Sequence, residues 1–160
     1  MVAGALAGRT VLVTGGSSGI GKAIAIAAAR AGADVAITYR GNAAGAEEVQ
    51  RAIGALGRRT SAIHLDLASA ASLADLAAAA RRALGRVDVW INNAGADILT
   101  GDAASLSRLE KLDRLIAVDL RGTMMSDLFM CTGPSPVLAS TQNQSAWVAL
   151  VIHIFEPLII

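Results

Sequence analysis

At 160 residues, 54% of them hydrophobic and only 3% aromatic, the chain suits one domain with a core of small, closely packed side chains. A formal net charge of +1, with no arginine run longer than two, gives no electrostatic footprint for nucleic acid or an anionic membrane. A single cysteine, Cys131, excludes an internal disulfide or a cysteine-rich metal site, and no apolar run reaches the roughly 20 residues of a membrane span.

A soluble, cytoplasmic protein without a signal peptide is therefore expected, because no basic region precedes an apolar core at the N-terminus. Residues 1–8 read as a lead-in and Arg9 to Val13 as a first strand. Out of the apolar run Val11-Leu12-Val13 comes the glycine-dense turn Thr14-Gly15-Gly16-Ser17-Ser18-Gly19-Ile20-Gly21, and a helix is expected from Gly19 to Ala31 with Gly32 at its C-terminal end. Strand, tight turn and helix make a phosphate-binding unit: glycines let backbone approach a pyrophosphate, and a helix N-terminus offers unpaired N–H groups.

Asp34 to Tyr39 predict a second strand, Ala46 to Leu56 a helix stopped by Gly57, and Arg59 to Leu65 a third strand closing on Asp66-Leu67. Ser69 is placed to cap a helix from about Ala71 to Leu84, which Gly85 ends. Val87 to Ile91 predict a fourth strand running into Asn92-Asn93-Ala94-Gly95, and a loop follows over residues 96–106. Leu109, Leu112, Leu115, Ile116 and Leu120 recur at helical spacing, so a long helix from Leu109 to Asp127 is expected against the sheet. Alternating helices and nearly continuous apolar strands imply an α/β fold with a doubly wound parallel sheet of about four strands.

The character changes after residue 121. From Gly122 to Ile160 there is no Lys or Arg, and alanine falls from 31 in the first 121 residues to three in the last 39. Residues 132–145 are rich in Ser, Thr, Gln, Asn and Pro, and Trp147 to Ile160 form an apolar string. The break sets expected boundaries of residues 1–125 for one coherent fold unit and 126–160 for a tail with a different history. A reading frame or message that diverges near residue 123 would produce such a break.

The glycine turn on its own admits three readings: an ordinary strand–helix loop, a P-loop and a dinucleotide site. Gly16 to Lys22 satisfy G-x-x-x-x-G-K, but the next residue is Ala23, where a P-loop needs a hydroxyl for Mg²⁺. The spacing Gly15-x-x-x-Gly19-x-Gly21 is also not the usual G-x-G-x-x-G.

Taken together, Thr14-Gly15-x-x-x-Gly19-x-Gly21, Asp66-Leu67, Asp88, Asn92-Asn93-Ala94-Gly95 and the segment Leu115 to Thr123 resemble the short-chain dehydrogenase/reductase family. Its glucose 1-dehydrogenase and 3-oxoacyl-carrier-protein reductase members are the nearest in kind. The resemblance covers residues 9 to about 125, the cofactor-binding half of the family's Rossmann-type domain. It implies an NAD(P)-dependent oxidoreductase moving hydride between NADP(H) and a carbonyl or alcohol. The residues it assigns to the cofactor are Thr14, Gly15, Gly16, Ser17, Ser18, Gly19, Ile20, Gly21, Tyr39, Arg40, Asp66, Leu67, Asn92, Asn93, Ala94 and Gly95. Asp66 is alternatively a turn cap and Asn93 a turn residue. Asp119 stands where many members have an Asn that orders a proton-relay water. The family assembles as homodimers or homotetramers, and no metal, nucleic acid or membrane partner is expected.

An acid at the end of the second strand would bond the ribose 2′-hydroxyl of NAD and repel a 2′-phosphate. This chain has Tyr39-Arg40 there and no acid before Glu47, so NADP is favoured, unless Arg40 is only a solvated loop residue. Dual use with NAD stays open, because Ser18 stands where strongly NADP-selective members often carry Arg. His64 reads as a core or face residue of the third strand.

The family's proton donor is a Tyr with a Lys four residues on, assisted by a Ser. Here Tyr39 is the only tyrosine and Lys22 and Lys111 the only lysines, so no Tyr-x-x-x-Lys occurs, and Ser140 and Ser145 lie in a setting unlike the family's fifth strand. No catalytic residue is therefore assigned. The alternatives to an enzyme are a non-catalytic NADP-binding or interaction module and a non-functional gene fragment. Without later strands, one sheet edge is expected to be open, with the run Trp147 to Ile160 either patching it or promoting aggregation.

Overall fold

The computed structural model describes residues 4–126; the expected tail apart from Ser126, with Asp127 and Cys131, lies outside them. Four parallel strands, β1 (Thr10–Val13), β2 (Asp34–Tyr39), β3 (Thr60–His64) and β4 (Val89–Ile91), form one sheet in the order β3-β2-β1-β4. Between them run α1 (Gly19–Arg30), α2 (Ala43–Ala55) and α3 (Ala70–Leu84). The doubly wound parallel architecture expected from the alternation is the one observed.

Strand β1 is wholly buried because it is covered on both faces and paired on both edges. Val11 and Val13 join Val35 and Ile37 of β2 against Ala25, Ala28 and Ala29 of α1 and Val49 and Ile53 of α2. Leu12 points the other way, into Leu73, Leu76, Ala80 and Leu84 of α3 together with Trp90. Period-two alternation along a strand with apolar layers on both faces explains why the strands read as unbroken apolar runs. The alanines let α1 sit close to the sheet, and a side chain such as the fully buried Leu12 makes truncation to Ala worth about 2–5 kcal/mol.

Asp88 closes the sheet at the foot of β1 and β4. Its Oδ2 accepts the Thr10 N–H at 2.8 Å and the Thr10 hydroxyl at 3.0 Å, and Arg86 donates to it at 3.1 Å. At the opposite, C-terminal end of the strands, Thr14 N–H donates to the Ile91 carbonyl and Gly16 N–H to the Thr38 carbonyl, both at 2.9 Å.

Several element ends differ from expectation. α2 begins at Ala43 rather than Ala46, because Asn42 caps it by accepting the Gly45 N–H. β4 starts at Val89 rather than Val87, since Asp88 is engaged by Thr10. β3 runs from Thr60 to His64 rather than from Arg59 to Leu65, and His64, its last residue, is exposed on a face rather than in the core, its ring meeting Tyr39 edge-on at 5.6 Å.

The largest correction concerns the helix after β4. A 3-10 turn (Gly101–Ser105) leads into α4 (Arg108–Leu115), opened by a capping box between Ser107 and Glu110, and the chain then widens into a π-helical stretch (Ile116–Gly122). Its apolar stripe does not face the sheet. Leu109, Leu112, Ile116 and Leu120 are exposed and Leu115 is half-buried, whereas Val118, Gly122 and Ser126 on another side are buried. Residues three and four apart share a helix face, so the stripe and the buried contacts cannot both point inward.

Candidate functional site

The C-terminal ends of the strands, where ligands of open α/β sheets bind, meet in a groove of about 500 Å³. The turn after β1 supplies its floor. Gly15 has φ +66° and a Cβ there would stand 2.9 Å from Ala94 Cα, while a Cβ at Gly21 would lie 2.3 Å from the Gly15 carbonyl oxygen and 2.4 Å from Asn93 Nδ2. Glycine is required at both: at Gly15 for the left-handed backbone, at Gly21 for the close packing of turn, helix and β4 end.

α1 starts at this turn with Ser18 as its extended N-cap residue, whose side chain makes no capping hydrogen bond, and with no acidic residue in its first turn. Its first N–H groups therefore face the groove without an internal competitor, the arrangement in which a helix terminus accepts phosphate.

A braced layer lies behind the groove. Thr14 Oγ1 accepts the N–H groups of Asn93 at 2.9 Å and Ala94 at 3.1 Å. Asn93 Nδ2 donates to the Thr14 carbonyl at 3.0 Å and the Gly15 carbonyl at 3.3 Å. Gly15 N–H donates to Thr38 Oγ1 at 3.1 Å, and the Trp90 indole N–H donates to Asn92 Oδ1 at 2.7 Å inside the core. These bonds fasten the first glycine turn to the ends of β2 and β4.

At the other end, Leu65, Asp66 and Leu67 line the groove beside Tyr39 and Arg40. Asp66 Oδ1 accepts the Ala68 N–H at 3.0 Å, which is the turn-capping arrangement, and its own N–H donates to Ser72 Oγ at 3.0 Å. Asp119, next to the groove-lining Val118 but not itself part of the lining, accepts the Ala96 N–H at 3.0 Å, with its Oδ1 against Gly95.

Of the residues singled out from sequence, Gly15, Ser17, Ser18, Gly19, Ile20, Gly21, Tyr39, Arg40, Asp66, Leu67, Asn93, Ala94 and Gly95 line the groove together. Thr14, Gly16 and Asn92 stand behind it as bracing. Sequence reasoning missed Thr38, Gly41, Asn42, Leu65 and Val118, which also line it. The position of Gly41 and Asn42 directly after Arg40 was the available signal; Val118 arrives only through the packing of the π-helical stretch. Among the described residues no cluster of His, Cys, Asp or Glu is disposed to hold a metal, and no helix is long and apolar enough to cross a membrane.

The short chain dehydrogenase family model matches residues 9–131, so the chain belongs to the short-chain dehydrogenase family. It is 48% identical over 90 residues to an L-rhamnose 1-dehydrogenase (NAD(P)(+)) of Sphingomonas sp. (strain SKA58), covering 56% of this chain and 35% of that protein. It is 36% identical over 117 residues to the 3beta-hydroxysteroid dehydrogenase 1 of Eggerthella lenta, covering 73% of this chain and 44% of that protein. A short chain dehydrogenase from Burkholderia cenocepacia, solved in complex with NADP, superposes with a TM-score of 0.71 at 39% identity, covering 79% of this chain and 51% of that one. The chain spans about a third to a half of the length of the curated relatives it matches.

Proposed function

We propose that this chain binds NADP(H) in the groove and carries the cofactor half of a hydride-transfer enzyme without performing the transfer by itself. The observation that carries this reading is the convergence of the Gly15–Gly21 turn, Asp66 and Asn93–Gly95 on one groove, with Arg40 and no acid at the end of β2. The α1 N-terminus would hold the pyrophosphate, Asp66 and Leu67 would flank the adenine, and Arg40 with Ser18 would meet the 2′-phosphate. The Burkholderia relative solved with NADP, and the NAD(P)(+) specificity in the name of the Sphingomonas relative, support the cofactor class.

The bound cofactor supplies hydride chemistry at its nicotinamide. The proton that must accompany hydride at a carbonyl oxygen has no donor of the family's kind in these 160 residues, which contain no Tyr-x-x-x-Lys. Titration of the full chain with NADPH, followed by the cofactor's fluorescence, is expected to show saturable binding, with no oxidation of NADPH when aldehydes or ketones are added. Absence of binding would overturn the cofactor reading, and measurable turnover the inactivity.

The exposed stripe of Leu109, Leu112, Ile116 and Leu120 favours a second reading, a non-catalytic module that pairs through α4 with another copy or a full-length relative. Cofactor binding without turnover, together with association of the chain, would distinguish such a module from a non-functional fragment that binds nothing.

A further inference from the structure

Asn42 joins the two walls of the groove that choose between cofactors. Its Oδ1 accepts the Gly45 N–H at 3.0 Å, capping α2, and its Nδ2 donates to the Ser17 carbonyl at 3.3 Å. The seat is tight: a Cβ at Gly45 would stand 2.3 Å from Asn42 Nδ2 and 2.5 Å from the Ser17 oxygen. The start of α2 therefore rests directly on the glycine turn.

The short run Arg40–Gly41–Asn42 is thus tied at both ends, by the β2 ladder at Tyr39, whose carbonyl accepts the Leu65 N–H at 2.8 Å, and by Asn42 at the turn. Arg40 and Ser18 line the same groove from these two pieces of chain. Beside the link an open depression of about 450 Å³ lies between the starts of α1 and α2, bridged by the Lys22–Glu48 ion pair at 2.7 Å. That pair occupies the Lys22 charge, whereas Arg40 makes no ion pair among the described residues. The placement of one guanidinium relative to Ser18 then depends on the Asn42 bridge.

Resting on the NADP reading above, we infer that Asn42 is a positioning residue for cofactor choice: by seating α2 on Ser17 it holds Arg40 beside Ser18, where a 2′-phosphate gains more from the guanidinium charge than a 2′-hydroxyl does. Preorganised guanidinium–phosphate pairing is lost when the fork is free to wander, while contacts with the rest of the dinucleotide are not.

The test is titration of the full chain and its variants with NADPH and, separately, NADH. Asn42→Ser keeps a capping oxygen for Gly45 but cannot reach Ser17, and Gly45→Ala forces the seat apart without removing any polar group. Both are expected to weaken NADPH by about tenfold and NADH by less than about twofold, so that the preference for NADPH drops in both variants. Thermal unfolding of each variant reports whether the fold is intact. Equal loss for both cofactors, or an unchanged ratio in Gly45→Ala with only a lower melting temperature, would overturn the inference and leave Asn42 a plain helix cap. If the unaltered chain binds neither cofactor, or binds NADH as well as NADPH, the NADP reading itself fails instead.

Discussion

Gly21 illustrates how little room single residues of the site have. A methyl group there would press on the Gly15 carbonyl and on Asn93 Nδ2, so Gly21→Ala is expected to destabilise by about 1–3 kcal/mol and to weaken NADPH at least tenfold. Urea unfolding and fluorescence titration of the same sample check the two effects together. Asp97 offers a pH probe away from the groove. The Thr100 hydroxyl and the N–H groups of Leu99 and Thr100 all bond its carboxylate and lower its pKa to about 2 from 3.8. A depressed carboxylate pKa means that the ionised form holds the loop. Its contribution is complete above the unfolded value of 3.8 and is lost as pH falls through about 2. A carbon-13 titration of the Asp97 carboxylate should therefore place its midpoint near 2, and a midpoint at the unfolded value would show that the loop bonds are absent in solution. The glycines and Asn93 were readable from sequence because their chemistry is local and spaced along the chain. The roles of Thr38, Ser72 and Asn42 were not, because each is defined by a partner that only folding brings near.

Among the elements, α4 and the π-helical stretch after it carry the sharpest expectation. Leu109 is 67% and Leu120 56% exposed, and with Leu112 and Ile116 they form one continuous apolar strip. Replacing Leu112 and Ile116 with Lys should leave stability within about 0.5 kcal/mol, since neither is buried, while abolishing concentration-dependent association of the chain. Sedimentation velocity over a range of concentrations measures this, and an unaltered chain that stays monomeric throughout would remove the strip's role as a contact surface. The element itself was legible: its period predicted a helix at the right place, and the capping box at Ser107 marks its start. Its orientation was not, because periodicity says that a helix has an apolar side without saying what covers it. α1 and α2 were easier, since alanine-rich faces beside buried valines and isoleucines leave one way to pack.

For the molecule as a whole, the strand order β3-β2-β1-β4 puts the first strand made at the middle of the sheet. Alternation predicted parallel strands and helices on both faces, but not which strand lies beside β1; that is settled by the register Val11 with Val89 and Val13 with Ile91 and by Asp88. Asp88→Ala would take the carboxylate acceptor from the Thr10 N–H and hydroxyl, leaving that hydroxyl only the backbone N–H of residue 88, and would leave Arg9 and Arg86 without their shared anion. A loss of about 1–3 kcal/mol is expected in denaturant unfolding, and a neutral effect would mean that water replaces the carboxylate at no cost. The same linkage, spanning 78 positions between Thr10 and Asp88, has a consequence for the chain as it is being made. At translation rates of about 5–20 residues per second, roughly 4–16 s separate the emergence of β1 from that of β4. For that interval β1 finds its first partner, β2, early but keeps its other edge bare on the ribosome. A nascent chain stalled before residue 89 should therefore recruit holdase chaperones that one stalled well past residue 91 no longer needs.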